Sequence, residues 1–234
     1  GRGEQRPGHG RSGPLMGYDD SVMTQMREII ARYPNSRSAV MPLLHLAQSI
    51  DDEVTPEAMQ VIADELGLTT AEVTAVASFY TMYKRRPVGK HHIGVCTNTL
   101  CALLGGDAVY EAVSERLGAG HDERDSDGTF WLERIECQAA CTHAPVMTVD
   151  WEFMDCQTPQ SAVDVIDRLA RGEEVVSTRG PVIRDFQATE RTLAFPVDGL
   201  AGEGGEADAM MLAGLTYANE HGMKAPAAPA EGQS

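Results

Sequence analysis

Positive charge is scarce in this chain. Its 234 residues hold 19 Lys and Arg against 35 Asp and Glu, a formal net charge of −16. That balance argues against a nucleic-acid backbone or an anionic bilayer as partner. Long apolar runs are missing too. Nothing approaches the ~20 residues of a membrane helix, and the best stretch, AVMPLLHLA, is short and contains a proline and a histidine. GRGEQRPGHGRSGPLMG, at the start, is basic and glycine-rich with no apolar core, so no secretory signal is expected there. No C-x-x-C is present for dithiol exchange, and no G-x-G-x-x-G follows a strand to bind a dinucleotide. The expectation is a soluble cytoplasmic protein that leaves hydride chemistry to another chain.

What is present is enough for a real core, with 42% hydrophobic residues. Residues 1–18 read as a disordered tail of Gly, Arg, Pro and Ser. Over residues 19–88 the period is helical. Val22, Met26, Ile29, Ile30 and Tyr33 share one face of a first helix. A second helix is expected over 38–49; because Pro42 is comfortable only in a first turn, the helix either starts near Val40 or kinks there. Thr55-Pro56 starts a third, closed by Gly67, and Thr69 with Glu72 makes a capping box for a fourth. Four short helices with short loops form a small bundle. From residue 89 to 173 the order is expected to be β-α-β-β-α: HHIGVCT, a helix over 105–118 with Asp107 as cap, FWLERIEC, PVMTVDWEF, and a helix from Thr158-Pro159. That is the order of the C-terminal part of a thioredoxin-like fold, and the whole is α+β. Residues 174–234 read as an extended arm and tail. Val182, Ile183, Phe186, Leu193, Phe195 and Leu200 punctuate it and hint at docking on a partner.

The five cysteines carry the chemistry. Cys96 and Cys101 are spaced C-x4-C, and Cys137 and Cys141 C-x3-C. Each pair stands where a strand gives way to a loop, so two loops at one sheet edge bring four thiolates together. The spacings suit the footprint of a two-iron cluster better than zinc knuckles. A zinc site and structural or oxidised thiols remain alternatives. The plant-type ferredoxin pattern, C-x4-C-x2-C with a distant fourth cysteine, is absent. Cys156 is left over and reads as a small buried hydrophobe. His143, two residues after Cys141, reads as an exposed turn residue or a group near the cluster. His91 and His92 read as solvent-facing, and His45 as a satisfied core histidine.

VCTNTLC (95–101), DGTFWLERIECQAACTHAPVM (127–147), YPNSRSAVMPLLHLAQ (33–48) and ASFYTMYKRRPVGKHHIGVC (77–96) resemble the thioredoxin-like [2Fe-2S] subunit family of bacterial NADH-quinone oxidoreductase, respiratory complex I. The resemblance runs from about residue 33 to about residue 171. It implies a helical bundle before a thioredoxin-like domain with one [2Fe-2S] cluster on Cys96, Cys101, Cys137 and Cys141. It implies docking on a flavoprotein subunit that binds NADH and FMN, beside a further iron–sulfur subunit. The cluster would then take an electron from the flavin. The chain would be an electron carrier, no enzyme alone, peripheral on the cytoplasmic side of the membrane. One departure is visible: the family commonly reads C-L-G-A-C where this chain reads C-Q-A-A-C, so Ala139 replaces a glycine. Glu136 and Asp150 flank the second pair, and either one close to the cluster would lower its potential. The alternatives are the related diaphorase subunit of an NAD-linked hydrogenase or formate dehydrogenase, a zinc-stabilised thioredoxin-like interaction domain, and a free-standing [2Fe-2S] ferredoxin.

Overall fold

The structure, a computed structural model, describes residues 18–195 and 204–224. Residues 1–17 of the expected tail, and Leu200 of the arm, lie outside them.

The bundle follows its local signals. α1 (Asp20–Ile30) starts on the Asp19 carboxylate, α3 (Pro56–Leu66) on the Thr55 hydroxyl, and α4 (Thr70–Phe79) on the Thr69–Glu72 capping box. α2 (Val40–Asp51) follows a 3-10 turn over Ser36–Ala39, which leaves Pro42 in the first turn, where no N–H is missed. Met26, Ile29, Leu43, Leu44, Ile62 and Val73 fill its core.

The second half is a five-stranded sheet in the order β2-β3-β1-β4-β5. β1 (His91–Cys96) is central; it runs parallel to β3 (Phe130–Ile135) and antiparallel to β4 (Met147–Val149). The short β2 (Glu123–Arg124) lies within the charged stretch HDERDSDG, residues 121–128, and pairs with β3. α6 (Gly106–Leu117) and α7 (Pro159–Ala170) pack together over a core of Ile93, Val95, Val113, Leu132, Met147 and Ile166. Gly105 caps α6, while Asp107, expected as the cap, sits in its first turn.

PVMTVDWEF is two strands. β4 turns back into β5 (Glu152–Met154) through Asp150 and Trp151, at φ 48° and 70°. A two-residue hairpin turn with both φ positive matches strand twist, but glycine or asparagine normally signals it. Here tertiary contacts hold it. The Asp150 carboxylate lies 2.6 Å from His91 Nδ1 and accepts from the His92 N–H at 2.8 Å. His91 and His92 are therefore buried, not solvent-facing.

The arm also departs from expectation. α8 (Phe186–Ala194) folds back on the chain's own bundle and packs mainly against α2. Phe186 is fully buried beside Val88, Trp131 and Trp151. Glu190, also fully buried, accepts from His45 Nδ1 at 2.6 Å, Gln48 Nε2 at 2.8 Å and Trp151 Nε1 at 2.8 Å. His45 is thus the satisfied core histidine expected. In sequence Phe186 mimics a docking residue because its own-chain partners, Val88, Trp131 and Trp151, lie 35 to 98 positions earlier. α9 (Ala209–Glu220) buries none of its residues.

Between bundle and sheet, Glu133 of β3 takes the Lys84 ammonium and, at 2.7 Å, His92 Nε2. Burial alone would raise the Glu133 pKa. The His92 hydrogen bond and the Lys84 charge outweigh it and hold the pKa to about 2. Because this folded pKa lies below the unfolded one, the stabilisation is complete above about pH 4.5 and fades as pH falls through about 2. Its size is on the order of 3 kcal/mol. In urea titrations the wild type's advantage over Glu133→Gln should therefore shrink as pH drops from 5 to 3. An advantage constant across that range would contradict it.

Candidate functional site

Parallel pairing of β1 and β3 decides where the cysteines meet. Cys96, the last residue of β1, lies opposite Ile135, the last of β3, so both following loops leave the same sheet edge. The first loop carries Cys101 back on a short helix, α5 (Thr99–Leu103), where a loop was expected. The second carries Cys137 and Cys141, the latter opening a 3-10 turn over Cys141–His143.

All five cysteines are free thiols. Cys137 and Cys141 sulfurs are 3.7 Å apart. Two thiolates on one tetrahedral metal with bonds of about 2.3 Å stand about 3.8 Å apart, so this pair fits one metal without rearrangement. The Cys101 pKa is pushed to about 11 by burial; the Val146 N–H, bonded to its sulfur, opposes this, and the Cys96 hydrogen bond and the Cys96 and Cys141 charges add to it. The Cys141 pKa is raised by its hydrogen bond to Cys137 and by the Cys137 charge. The two pairs thus feel each other. Thiols pushed upward are poor nucleophiles, which argues against thiol catalysis, whereas a strongly Lewis-acidic metal displaces such protons. Among the described residues no three His, Cys, Asp or Glu side chains gather around one ion. Two sulfur pairs side by side fit a two-iron cluster better than one tetrahedral zinc.

The surroundings supply N–H donors to sulfur. Besides Val146 on Cys101, the Ala139 N–H lies 3.4 Å from Cys137 Sγ, and Asn98 Nδ2 lies 3.9 Å from Cys96 Sγ. α6 comes close beneath: a Cβ on Gly106 would lie 2.6 Å from the Cys96 carbonyl oxygen and 2.8 Å from that of Cys101. Only glycine lets helix and cysteine loop pack this tightly. The site is buried on the Cys96–Cys101 side and exposed on the Cys137–Cys141 side, with Leu100, Leu103 and Leu104 exposed near Cys101.

Ala139 adopts φ 55°, the left-handed region that glycine favours. An L-residue there costs roughly 1–2 kcal/mol. Ala139→Gly should therefore raise stability in urea by about 1 kcal/mol, net of the freedom glycine gains in the unfolded chain. A loss of stability would contradict this.

No contact to sulfur is made by the remaining candidates among the described hydrogen bonds. Both His143 nitrogens are engaged, Nδ1 with the Thr142 hydroxyl at 2.9 Å and Nε2 with Asp208 at 2.6 Å. Asp150 is held by His91 at the start of β1, while Cys96 is at its end, about 16 Å along an extended strand. Its charge is therefore remote. Glu136 stays exposed beside Cys137. Cys156 is exposed, not buried, because it follows β5 in a turn at φ 53°, and it lines a cavity of about 500 Å³ with His143, Arg179 and Asp208. Sequence reasoning misses Asn98: its place before α5 is readable, but its reach to sulfur is not.

The thioredoxin-like [2Fe-2S] ferredoxin family matches residues 26–170. A Mycobacterium bovis protein named as a subunit of NADH-quinone oxidoreductase is 52% identical over 217 residues, 91% of this chain and 86% of its own. A Thermus thermophilus protein, also named as a subunit of NADH-quinone oxidoreductase, is 38% identical over 146 residues, 61% of this chain and 81% of its own. Among solved structures, an NAD+-reducing [NiFe]-hydrogenase shares the fold with TM-score 0.51 at 17% identity, over 57% of this chain and 23% of that one. Two thiol pairs at the shared end of two parallel strands agree with these matches, and the chain belongs to the thioredoxin-like [2Fe-2S] ferredoxin family.

Proposed function

We propose that this chain is the electron-transfer subunit of an NADH-quinone oxidoreductase and that Cys96, Cys101, Cys137 and Cys141 hold its single [2Fe-2S] cluster. The observation that carries this is the pair of thiol pairs at the common end of β1 and β3, one at 3.7 Å sulfur to sulfur. When bound, the cluster supplies one-electron transfer with little rearrangement. The protein's part is ligation, burial and N–H donation. Cys96 and Cys101 close the inner side, and Val146 and Ala139 direct N–H groups at sulfur. Cys137 and Cys141 keep the outer side open to a partner.

The proposed partners are a flavoprotein subunit that binds NADH and FMN, and the adjacent iron–sulfur subunit. Exposed Leu100, Leu103 and Leu104 beside the thiols suit the first contact. Exposed Met210, Leu215 and Tyr217 of α9, within the 174–234 segment, suit a second. The complex is membrane-bound and this chain peripheral on its cytoplasmic side; among the described residues no helix is long and apolar enough to cross a membrane. The diaphorase subunit of an NAD-linked hydrogenase is the second reading, favoured only by the shared fold.

Affinity isolation of the tagged full-length chain from its own cells tests the assignment. Co-isolation of an FMN protein with NADH-dependent quinone reduction is expected. Recovery with a hydrogenase, or of the chain alone, would overturn it.

A further inference from the structure

Asn98 occupies a position whose usual task it does not perform. It is the residue before α5, where asparagine is among the preferred caps, accepting from a backbone N–H two or three residues on. Its side chain makes no such bond. The amide nitrogen is turned the other way and donates to the Ile135 carbonyl oxygen at 3.0 Å. The same nitrogen lies 3.9 Å from Cys96 Sγ.

A side-chain amide has two N–H groups fixed in one plane. With one committed to Ile135, the rotation of the amide is set, and the second N–H is left for sulfur. Ile135 ends β3, two residues before Cys137, and pairs in register with Cys96. Asn98 therefore ties the first cysteine loop to the strand that delivers the second pair. Cys96 is buried at 2% exposure, so water competes little for its sulfur and even a long N–H···S contact carries weight. The other donors near the cysteine sulfurs, Val146 and Ala139, act through backbone N–H groups; among the contacts described, Asn98 is the one side chain other than a cysteine that reaches a cysteine sulfur.

We propose that Asn98 is a positioning residue that raises the reduction potential of the cluster by donating to the Cys96 thiolate, and that it holds the two cysteine loops in register. The inference rests on ligation by the four cysteines proposed above. The physical basis is charge: reduction adds an electron to an anionic thiolate cluster, and a donor to sulfur stabilises the reduced form more than the oxidised one.

Redox titration of the cluster-loaded full-length chain, followed by EPR, tests it with Asn98→Ala and Asn98→Asp. Aspartate is as good a helix cap as asparagine, so it keeps α5 started while removing the donor. Both variants should keep iron and sulfide and titrate at lower potential. A tenfold fall in the reduced-to-oxidised ratio at fixed potential, about 59 mV for one electron, is the expected scale for the aspartate. The alanine shift should be smaller, because no charge is added. Should Asn98→Ala fail to fold, Asn98→Asp decides alone. An unchanged midpoint with unchanged EPR g values would overturn the role of Asn98 while leaving ligation intact. Loss of the cluster from both variants would overturn the tuning role and leave Asn98 only the part of holding the two cysteine loops in register. A wild type without iron and sulfide would instead overturn the ligation itself.

Discussion

Glu190→Ala should lower the unfolding free energy of the full-length chain by about 3–5 kcal/mol, the scale for removing one side of a buried polar group set. Glu190 is fully buried and accepts from His45, Gln48 and Trp151. Truncation leaves those donors in a dry interior, each costing about 1–3 kcal/mol when unsatisfied. Partial collapse around the cavity offsets some of this. The effect should extend beyond one helix. His45 and Gln48 belong to α2 in the bundle, whereas Trp151 belongs to the β4–β5 turn of the sheet, so Glu190 joins the two halves through α8. Urea denaturation followed by tryptophan fluorescence measures the loss, with Trp151 reporting directly. Glu190→Gln should fall between, because one of its positions presents an N–H to a donor. A change below about 1 kcal/mol for Glu190→Ala would mean that the α8 clasp is not a stability element.

The second large effect is on metal. Alanine at any one of Cys96, Cys101, Cys137 or Cys141 should abolish the EPR signal of the reduced cluster, because three thiolates cannot complete tetrahedral sulfur coordination at both irons. Cys156→Ala should retain it. Cys156 is exposed in the turn after β5 and lines the cavity beside Asp208, on a loop separate from both pairs. A full signal in Cys137→Ala, or a lost one in Cys156→Ala, would reassign the ligands.

Helix starts in this chain are legible because they are local. Thr55-Pro56, Thr69 with Glu72, and Thr158-Pro159 each state their hydrogen bond within four residues, and each begins a helix. The β4–β5 hairpin is not legible, because Asp150 and Trp151 carry no turn signature and their positive φ is held by His91 and His92, some sixty positions earlier. The same distance hides the burial of the two histidines and the fold-back of α8. At the site, spacing identifies the four thiols and narrows the metal without deciding it. What brings the pairs together is the parallel register of Cys96 with Ile135, which no local pattern states. The glycine missing from CQAAC is legible as a question, and the φ of Ala139 answers it with strain.

Iron, zinc and acid-labile sulfide per chain, measured on full-length protein purified without air, test the central claim most directly. The account predicts two irons and two sulfides, no zinc, and an EPR signal that appears on reduction by dithionite. One zinc with no iron, or iron without sulfide, would contradict it.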